Sequence, residues 1–267
     1  MKEMLDMDFG LQNKNALVIA SSQGLGKAIA TELLREGANV MLAARSEEKL
    51  LAVQEELKGV GTGKVFYCVA DITKPLDVKN LIATTIREFG SVELLVNNAG
   101  GPKAGNFTDM SDSDWQEAFE LNLLSYIRVI REALPALKNK GGKIVNIASS
   151  STKEPIPGLI LSNTFRTGVV GLSKTLAMEL AGDGILVNTV SPGRIATERV
   201  AHLDEVNALK QGVSINEIKE LAEAKIPLGR YGKPEEFAKF VTFLLSDANT
   251  YITGQSFLVD GGMVKSI

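Results

Sequence analysis

The sequence predicts an α/β fold in which a doubly wound, parallel β-sheet carries helices on both faces. Short apolar runs alternate along the chain with longer amphipathic stretches of helical period. The runs are apolar at consecutive positions, as expected for strands that are covered by helices on both sides. Since the 267 residues contain no repeat, low-complexity segment or Pro/Gly/Ser-rich linker, we expect a single domain over residues 1–267.

The predicted strands are short and rich in Val, Ile, Leu and Ala. They are Asn15–Ala20, Asn39–Ala44, Lys64–Val69, Val92–Val96, Lys143–Ala148, Leu186–Val190 and Ser256–Val259. The predicted helices are Gly26–Glu36, Glu47–Lys58, Pro75–Phe89, Ser111–Lys138 and one that contains Gly168–Leu180. Ser111 and Asp114 form a capping-box pattern at the start of the longest helix, and Pro135 is expected to break or kink it near its end.

The segment Arg194–Lys225 departs from this alternation. It follows the sixth predicted strand and has a mostly helical pattern. In α/β sheets, ligands bind beyond the carboxyl ends of the strands, where this segment begins. It is therefore either a flap over a substrate or a plain surface excursion.

Composition excludes several classes of function. The net charge is −3 and no basic run is present, which argues against binding to nucleic acid or to an anionic membrane. With one cysteine, Cys68, and one histidine, His202, we expect no internal disulfide and no metal site. No apolar run approaches the length of a membrane span and the N-terminus does not resemble a signal peptide, so a cytoplasmic protein is expected.

A glycine-containing turn follows the first strand. Gly24 and Gly26 lie between that strand and a helix, where glycine lets the backbone approach a pyrophosphate at the helix N-terminus. The alternative is a structural βα turn without a ligand. At the end of the second strand Arg45 stands where an acidic residue would favour NAD, so NADP is preferred and NAD remains possible. A surface arginine that opens a helix is the alternative there.

Further motifs make the chain resemble the short-chain dehydrogenase/reductase family over nearly its whole length, in the style of the 3-oxoacyl-acyl-carrier-protein reductases. The matching residues are the Gly24/Gly26 turn, Asp71, Asn97-Asn98-Ala99-Gly100, Asn122, Ser149, Pro192-Gly193 with Thr197, and the tail Pro227–Gly262. The resemblance implies a small carbonyl or alcohol substrate and a homotetramer or homodimer.

The resemblance also implies which residues bind the cofactor along its length, from the pyrophosphate and adenosine to the nicotinamide. These residues are Ser21, Ser22, Gln23, Gly24, Leu25, Gly26, Arg45, Asp71, Ile72, Asn98, Ala99, Gly100, Arg166, Pro192, Gly193, Ile195 and Thr197. One departure occurs at the turn, where the family's first Thr-Gly falls on Ile19-Ala20. Alanine adds a methyl group there and disfavours positive φ.

A second departure concerns the residues that carry the chemistry. In the family a Tyr donates a proton to the substrate oxygen or accepts one from it. A Lys four residues later lowers the pKa of that Tyr and binds the nicotinamide ribose. Here those positions fall on Ser162 and Arg166, and the chain has no Tyr-x-x-x-Lys. A serine hydroxyl is a far weaker acid than a phenol, and an arginine does not pass a proton on. The implied catalytic set is Asn122, Ser149, Ser162 and Arg166.

Three interpretations remain open at this point. The protein is a working but divergent NADP-dependent oxidoreductase, a nucleotide-binding sensor or scaffold with little turnover, or a non-redox enzyme that uses Ser162 and Arg166 on an anionic substrate. Candidates for the missing acid are Tyr126, which is expected to pack, and His202, which is expected to be a solvated loop residue. Lys103 and Lys153 suit an acidic substrate or simply a soluble surface.

Overall fold

A computed structural model describes residues 8–266 and shows one seven-stranded sheet in which every strand pair is parallel. The strand order is β3-β2-β1-β4-β5-β6-β7. The strands are β1 (Asn15–Ile19), β2 (Asn39–Ala44), β3 (Val65–Val69), β4 (Leu94–Asn97), β5 (Gly142–Ile147), β6 (Ile185–Pro192) and β7 (Ser256–Val259). All seven predicted strands are present, with ends shifted by one or two residues at most.

Helices cover both faces of this sheet. They are α1 (Gly24–Arg35), α2 (Glu47–Leu57), α3 (Pro75–Phe89), α4 (Asp112–Phe119), α5 (Ser125–Lys138), α6 (Ile160–Glu179), α7 (Glu198–Gln211), α8 (Ile215–Glu223) and α9 (Pro234–Leu245). One apolar core joins α1, α2 and α9 to the sheet, and the other joins α3, α5 and α6 to the opposite face. The predicted doubly wound, Rossmann-type architecture is confirmed.

The predicted helix Ser111–Lys138 is interrupted, and not at Pro135. The chain passes through Pro135 inside α5, whereas Glu120–Leu124 forms a π-helical turn between α4 and α5. The predicted capping box is present, since the Ser111 hydroxyl accepts a hydrogen bond from the Asp114 amide. The π-turn contains Asn122, whose side chain donates to Gly100 O at 2.7 Å. Turns of this kind are frequent at functional sites because they re-aim single side chains.

The segment Arg194–Lys225 is helical, as its pattern predicts, and supplies α7 and α8. Within the part of the chain that the structure describes, no helix combines the length and apolar character needed to cross a bilayer. The direction of the strand order reverses between β1 and β4, which lie side by side although β2 and β3 separate them in sequence. This switch point is where open α/β sheets leave a crevice for ligands.

Candidate functional site

A cleft of about 620 Å³ lies at this switch point, beyond the carboxyl ends of the strands. Most of the residues that the sequence assigns to a cofactor line it. Those residues are Ser22, Gln23, Gly24, Leu25, Arg45, Asp71, Ile72, Asn98, Ala99, Gly100, Pro192, Gly193, Ile195 and Thr197. Five separate loops therefore meet at one surface, which sequence spacing alone does not show.

The amino end of α1 faces this cleft without a side-chain cap. Gln23, the N-cap residue, makes no capping hydrogen bond, and the first turn carries no acidic residue. The first amide groups of the helix are thus left for a ligand, and the helix dipole favours an anion there. Across the gap, Thr197 approaches Gly24 so closely that a Cβ on Gly24 would lie 3.7 Å from its methyl group.

Two residues of the turn that the resemblance assigns to the cofactor, Ser21 and Gly26, do not line the cleft and make contacts within the fold. The fully buried Ser21 hydroxyl donates to Val18 O at 2.8 Å and accepts from Ala43 N at 2.9 Å, so it links β1 to β2. Gly26 packs against the preceding turn, where a Cβ would lie 2.2 Å from Ala20 O. Neither residue lines the cleft.

Ala20 occupies the position at which the family usually has glycine. Its φ is +52°, in the left-handed region, and it lines the cleft. L-residues other than Asn and Asp rarely adopt this conformation, because the Cβ then crowds the following carbonyl oxygen. The turn keeps the glycine-type backbone while carrying an alanine side chain.

Positive charge gathers where β2 ends. Arg45 and Lys49 both line the cleft, and Lys49 Nζ donates to Gln23 Oε1 at 2.7 Å. Asp71 lies close by; burial acts to raise its pKa, but hydrogen bonds from Thr73 and the positive charge of Arg45 outweigh this and lower the pKa overall. Sequence reasoning missed Lys49, although its position in the first turn of α2, four residues after Arg45, is the signal that could have found it.

Arg166 does not reach into the cleft. The residue is 5% exposed and does not line the cleft. Nη1 donates to Tyr126 Oη at 2.7 Å and to Ile147 O at 2.8 Å, while Nη2 donates to Ala99 O at 2.9 Å and to Gly100 O at 3.3 Å. All four terminal N–H groups are therefore used within the protein. The expectation that Arg166 binds ribose is not supported by this geometry.

Tyr126 is the side chain that accepts a hydrogen bond from buried Arg166. It is 1% exposed, and its hydroxyl donates to Ile147 O at 2.9 Å while accepting from Arg166. Burial raises the pKa of Tyr126 and outweighs the lowering by Arg166. A buried phenol that resists ionisation is not a proton donor for the cleft, in agreement with the expectation that Tyr126 packs.

The other catalytic candidates, Asn122, Ser149 and Ser162, are not among the residues that line the cleft. Ser149 follows β5, is half-buried, and accepts a hydrogen bond from Ser151 N at 3.1 Å. Ser162 lies in the first turn of α6 and is half-buried. Asn122 is fully buried, and its Oδ1 has no donor among residues 8–266. These three residues supply two hydroxyls and, at Asn122, one acceptor without a donor among the described residues.

The remaining candidates, His202 and Lys103, do not line the cleft. His202 lies on α7, not in a loop as expected; its side chain is 67% exposed and lies 3.6 Å from Glu205. Lys103 is paired with Asp114 at 2.9 Å, and hydrogen bonds from Lys103 and Ser111 lower the pKa of Asp114 to about 2. No group of three metal-binding side chains occurs among the described residues.

The start of α7 closes one side of the cleft. Thr197 caps this helix by accepting from Val200 N. Behind it, the buried Asp204 carboxylate accepts hydrogen bonds from Arg194 and from the Tyr231 hydroxyl, which ties α7 to the loops on both sides. Burial and the hydrogen bond to Asp204 raise the pKa of Tyr231 to about 12.

Comparison with known proteins agrees with this geometry. A family model described as enoyl-(acyl carrier protein) reductase matches residues 19–264. The 3-oxoacyl-[acyl-carrier-protein] reductase FabG of Staphylococcus epidermidis is 38% identical over 253 residues, which cover 94% of this chain and 99% of that protein.

Two solved structures are similar over nearly their whole length. L-sorbose reductase from Gluconobacter frateurii, complexed with NADPH and L-sorbose, superposes with a TM-score of 0.93 at 31% identity and covers 98% of this chain and 100% of its own. A variant of the actinorhodin polyketide ketoreductase with NADPH gives 0.89 at 34% identity, with coverage of 94% and 97%.

Proposed function

Because the chain belongs to the short-chain dehydrogenase/reductase family, we propose that it is an NADP-dependent oxidoreductase acting on a carbonyl or alcohol. One observation carries this proposal: the uncapped amino end of α1 opens into a switch-point cleft whose adenosine end holds Arg45 and Lys49. A dinucleotide with a 2′-phosphate matches both features, because it presents a pyrophosphate and a further phosphate. NADPH-bound relatives of similar structure support the same assignment.

The residues of the turn and the opposing loops fit this cofactor. Ser22 to Leu25 would surround the pyrophosphate, Asp71 and Ile72 would meet the adenosine, and Gly193 and Thr197 would lie near the nicotinamide. When bound, NADPH supplies the hydride. The protein's own part is to orient the two reactants and to exclude water from the cleft.

At the substrate end, Ser149 would polarise the carbonyl oxygen by donating its hydroxyl proton as a hydrogen bond. Ser162 would offer a second hydroxyl in place of the family's phenol. The Oδ1 of Asn122, which has no donor among residues 8–266, would accept a hydrogen bond from a water molecule and so hold that water near the site. Without a positioned acid of suitable pKa, we expect turnover about 10²–10⁴-fold below that of a complete site.

The substrate proposed is a small ketone or a 3-oxoacyl-thioester-like carbonyl, since relatives are named for 3-oxoacyl-carrier and L-sorbose reduction. We further propose a single functional domain in which residues 194–225 act as the substrate flap. A cytoplasmic homotetramer or homodimer is proposed on the same family grounds.

A second function is favoured by one specific observation, the burial of Arg166. A site whose cation is fully engaged with backbone carbonyls lacks the group that would activate a proton donor. Such a protein would bind NADPH and signal or scaffold with little turnover. The third interpretation, an anion site built on Ser162 and Arg166, loses its cation for the same reason.

Titration of the purified protein with NADPH and NADH by fluorescence tests the proposal, followed by nicotinamide absorbance with a panel of ketones and aldehydes. We expect saturable NADPH binding and slow oxidation of NADPH by an activated ketone. NADPH binding without turnover would favour the sensor. Failure of both cofactors to bind would overturn the proposal.

A further inference from the structure

Arg199 presents an unpaired guanidinium on the cleft wall. It lies in the first turn of α7 and lines the cleft together with Gly100 and Gly101. Among residues 8–266 its one hydrogen bond is from Nη2 to Pro102 O, at 3.3 Å. Most of the five N–H donors of this side chain are therefore left for a ligand.

The guanidinium is held against the backbone of Gly101. A Cβ added to Gly101 would lie 2.4 Å from Arg199 Nη2 and 2.8 Å from its Cζ. Glycine at this position thus allows the flat guanidinium to rest on the loop that follows β4. The residue as a whole is exposed, but its charged end is partly covered by this contact.

Two arginines at this end of the cleft form no ion pair among residues 8–266, although Glu198 also lines the cleft. Burial, together with the positive charge of Arg166, lowers the pKa of Arg199. Within residues 8–266, Arg166 donates to backbone carbonyls and Tyr126, and Arg199 to a backbone carbonyl; neither forms an ion pair. Partly buried charges without a counter-charge are costly, so an anionic ligand would be stabilised here.

We propose that Arg199 binds a carboxylate of the substrate, so that the compound reduced in this cleft is an oxo acid or a similarly anionic carbonyl compound. This inference rests on the proposed reductase function. Arg199 rests on Gly101 and donates to Pro102 O in the loop after β4, whereas Arg45 and Lys49 lie after β2, so we assign Arg199 to the substrate and not to the adenosine phosphates. Arginine is suited to this task, because its planar donors match a carboxylate in pairs.

Calorimetric titration with oxo acids and their neutral methyl esters tests this assignment. Pyruvate, acetoacetate and levulinate place the carboxylate at increasing distances from the carbonyl. Each pair is titrated into the protein with and without NADP⁺, a state in which ketones are not reduced. At least one oxo acid should bind about tenfold more tightly than its ester, as a charge-assisted hydrogen bond requires.

Three variants of the chain assign the effect to its residue. Arg199→Gln should abolish the preference for the acid, and Arg199→Lys should restore part of it. Gly101→Ala should weaken it by displacing the guanidinium while keeping the charge. Lys210→Gln, which removes an exposed charge from the end of the same helix, is the matched control and should leave the preference intact.

The outcomes separate this inference from the proposed function. Equal affinity for acids and esters, or a preference that survives in Arg199→Gln, would overturn the assignment of Arg199 whether or not any ketone is reduced. A tenfold loss of NADP⁺ affinity in Arg199→Gln with an unchanged acid preference would also overturn it, because the guanidinium would then serve the cofactor. Absence of cofactor binding would defeat the proposed function alone, since the cofactor-free titration still reports on Arg199.

Discussion

The two ends of the cleft are built on different principles. At the end formed by the α1 turn and the end of β2, the first amide groups of α1 have no side-chain cap, and Arg45 makes no hydrogen bond within residues 8–266, so polar groups are available to a ligand. At the end where the family has its catalytic residues, the terminal N–H groups of Arg166 donate hydrogen bonds to Tyr126 and to the protein backbone. The position of a residue in a motif therefore predicts where its side chain lies. Its function depends in addition on whether its polar atoms remain available for hydrogen bonds to a ligand.

The largest effect is expected from rebuilding the end where the family has its catalytic residues. In Ser162→Tyr with Arg166→Lys, a phenol and an ammonium one helical turn apart would restore a proton donor whose pKa the cation lowers. We expect kcat/KM for ketone reduction to rise about 10²–10⁴-fold. Steady-state NADPH oxidation measures this.

The matched control for the rebuilt site is Ser162→Phe with Arg166→Lys, which supplies the same ring without the hydroxyl. It should show no gain. Equal rates in the two double variants would mean that proton transfer is not what limits this protein, and the contrast between the two ends would then lose its functional meaning.

The next effect concerns stability. Arg166→Ala removes the donors from Ala99 O, Gly100 O and Ile147 O and leaves a cavity. Breaking such a buried network costs about 3–5 kcal/mol. Urea unfolding followed by circular dichroism gives the change in the free energy of unfolding.

Arg131→Ala, an exposed arginine on α5, is the control for this loss and should change stability by less than about 0.5 kcal/mol. If Arg166→Ala proved as mild as Arg131→Ala, the guanidinium would be free to turn toward a ligand. The interpretation that Arg166 stabilises the fold through hydrogen bonds within the protein would then be wrong.

The sequence predicts the fold well, because the apolar runs of a parallel sheet and the helical periods between them are local patterns. Asn15–Ala20 and the helix after it could be assigned from the order of residues within each segment. The π-turn at Glu120–Leu124 could not, since it depends on Asn122 reaching Gly100 O across the fold. The neighbouring residues contain no pattern that predicts a π-helical turn.

The candidate site was predicted in part, for the same reason. The end of the second predicted strand located Arg45, and the family resemblance supplied Thr197. Neither showed that Ser21 bonds across β1 and β2, or that Tyr126 and Arg166 meet although they are forty residues apart. Tertiary partners of this kind decide whether a polar atom is available, and they are not encoded locally.

A smaller effect tests the adenosine end. In Arg45→Gln, loss of the positive charge should weaken NADPH binding about tenfold and leave NADH binding nearly unchanged, because only NADPH carries the 2′-phosphate. Fluorescence titration with both cofactors measures the ratio of the two dissociation constants. Lys79→Gln, an exposed position on α3, serves as the control and should alter neither constant. Equal weakening of both cofactors would show that Arg45 does not select the phosphate.

The smallest effect is expected at Ala20, because the left-handed backbone there favours glycine while ordering a glycine on folding costs more chain entropy. A left-handed L-residue costs about 1–2 kcal/mol, whereas glycine loses about 0.5–1 kcal/mol of extra chain entropy on folding. Since φ is +52°, Ala20→Gly should stabilise the protein by about 0.5–1 kcal/mol in urea unfolding. Ala52→Gly, at an exposed position inside α2, should instead destabilise it by a similar amount. If both variants lost stability alike, the turn would carry no strain, and the methyl group of Ala20 would matter only for contact with the cofactor.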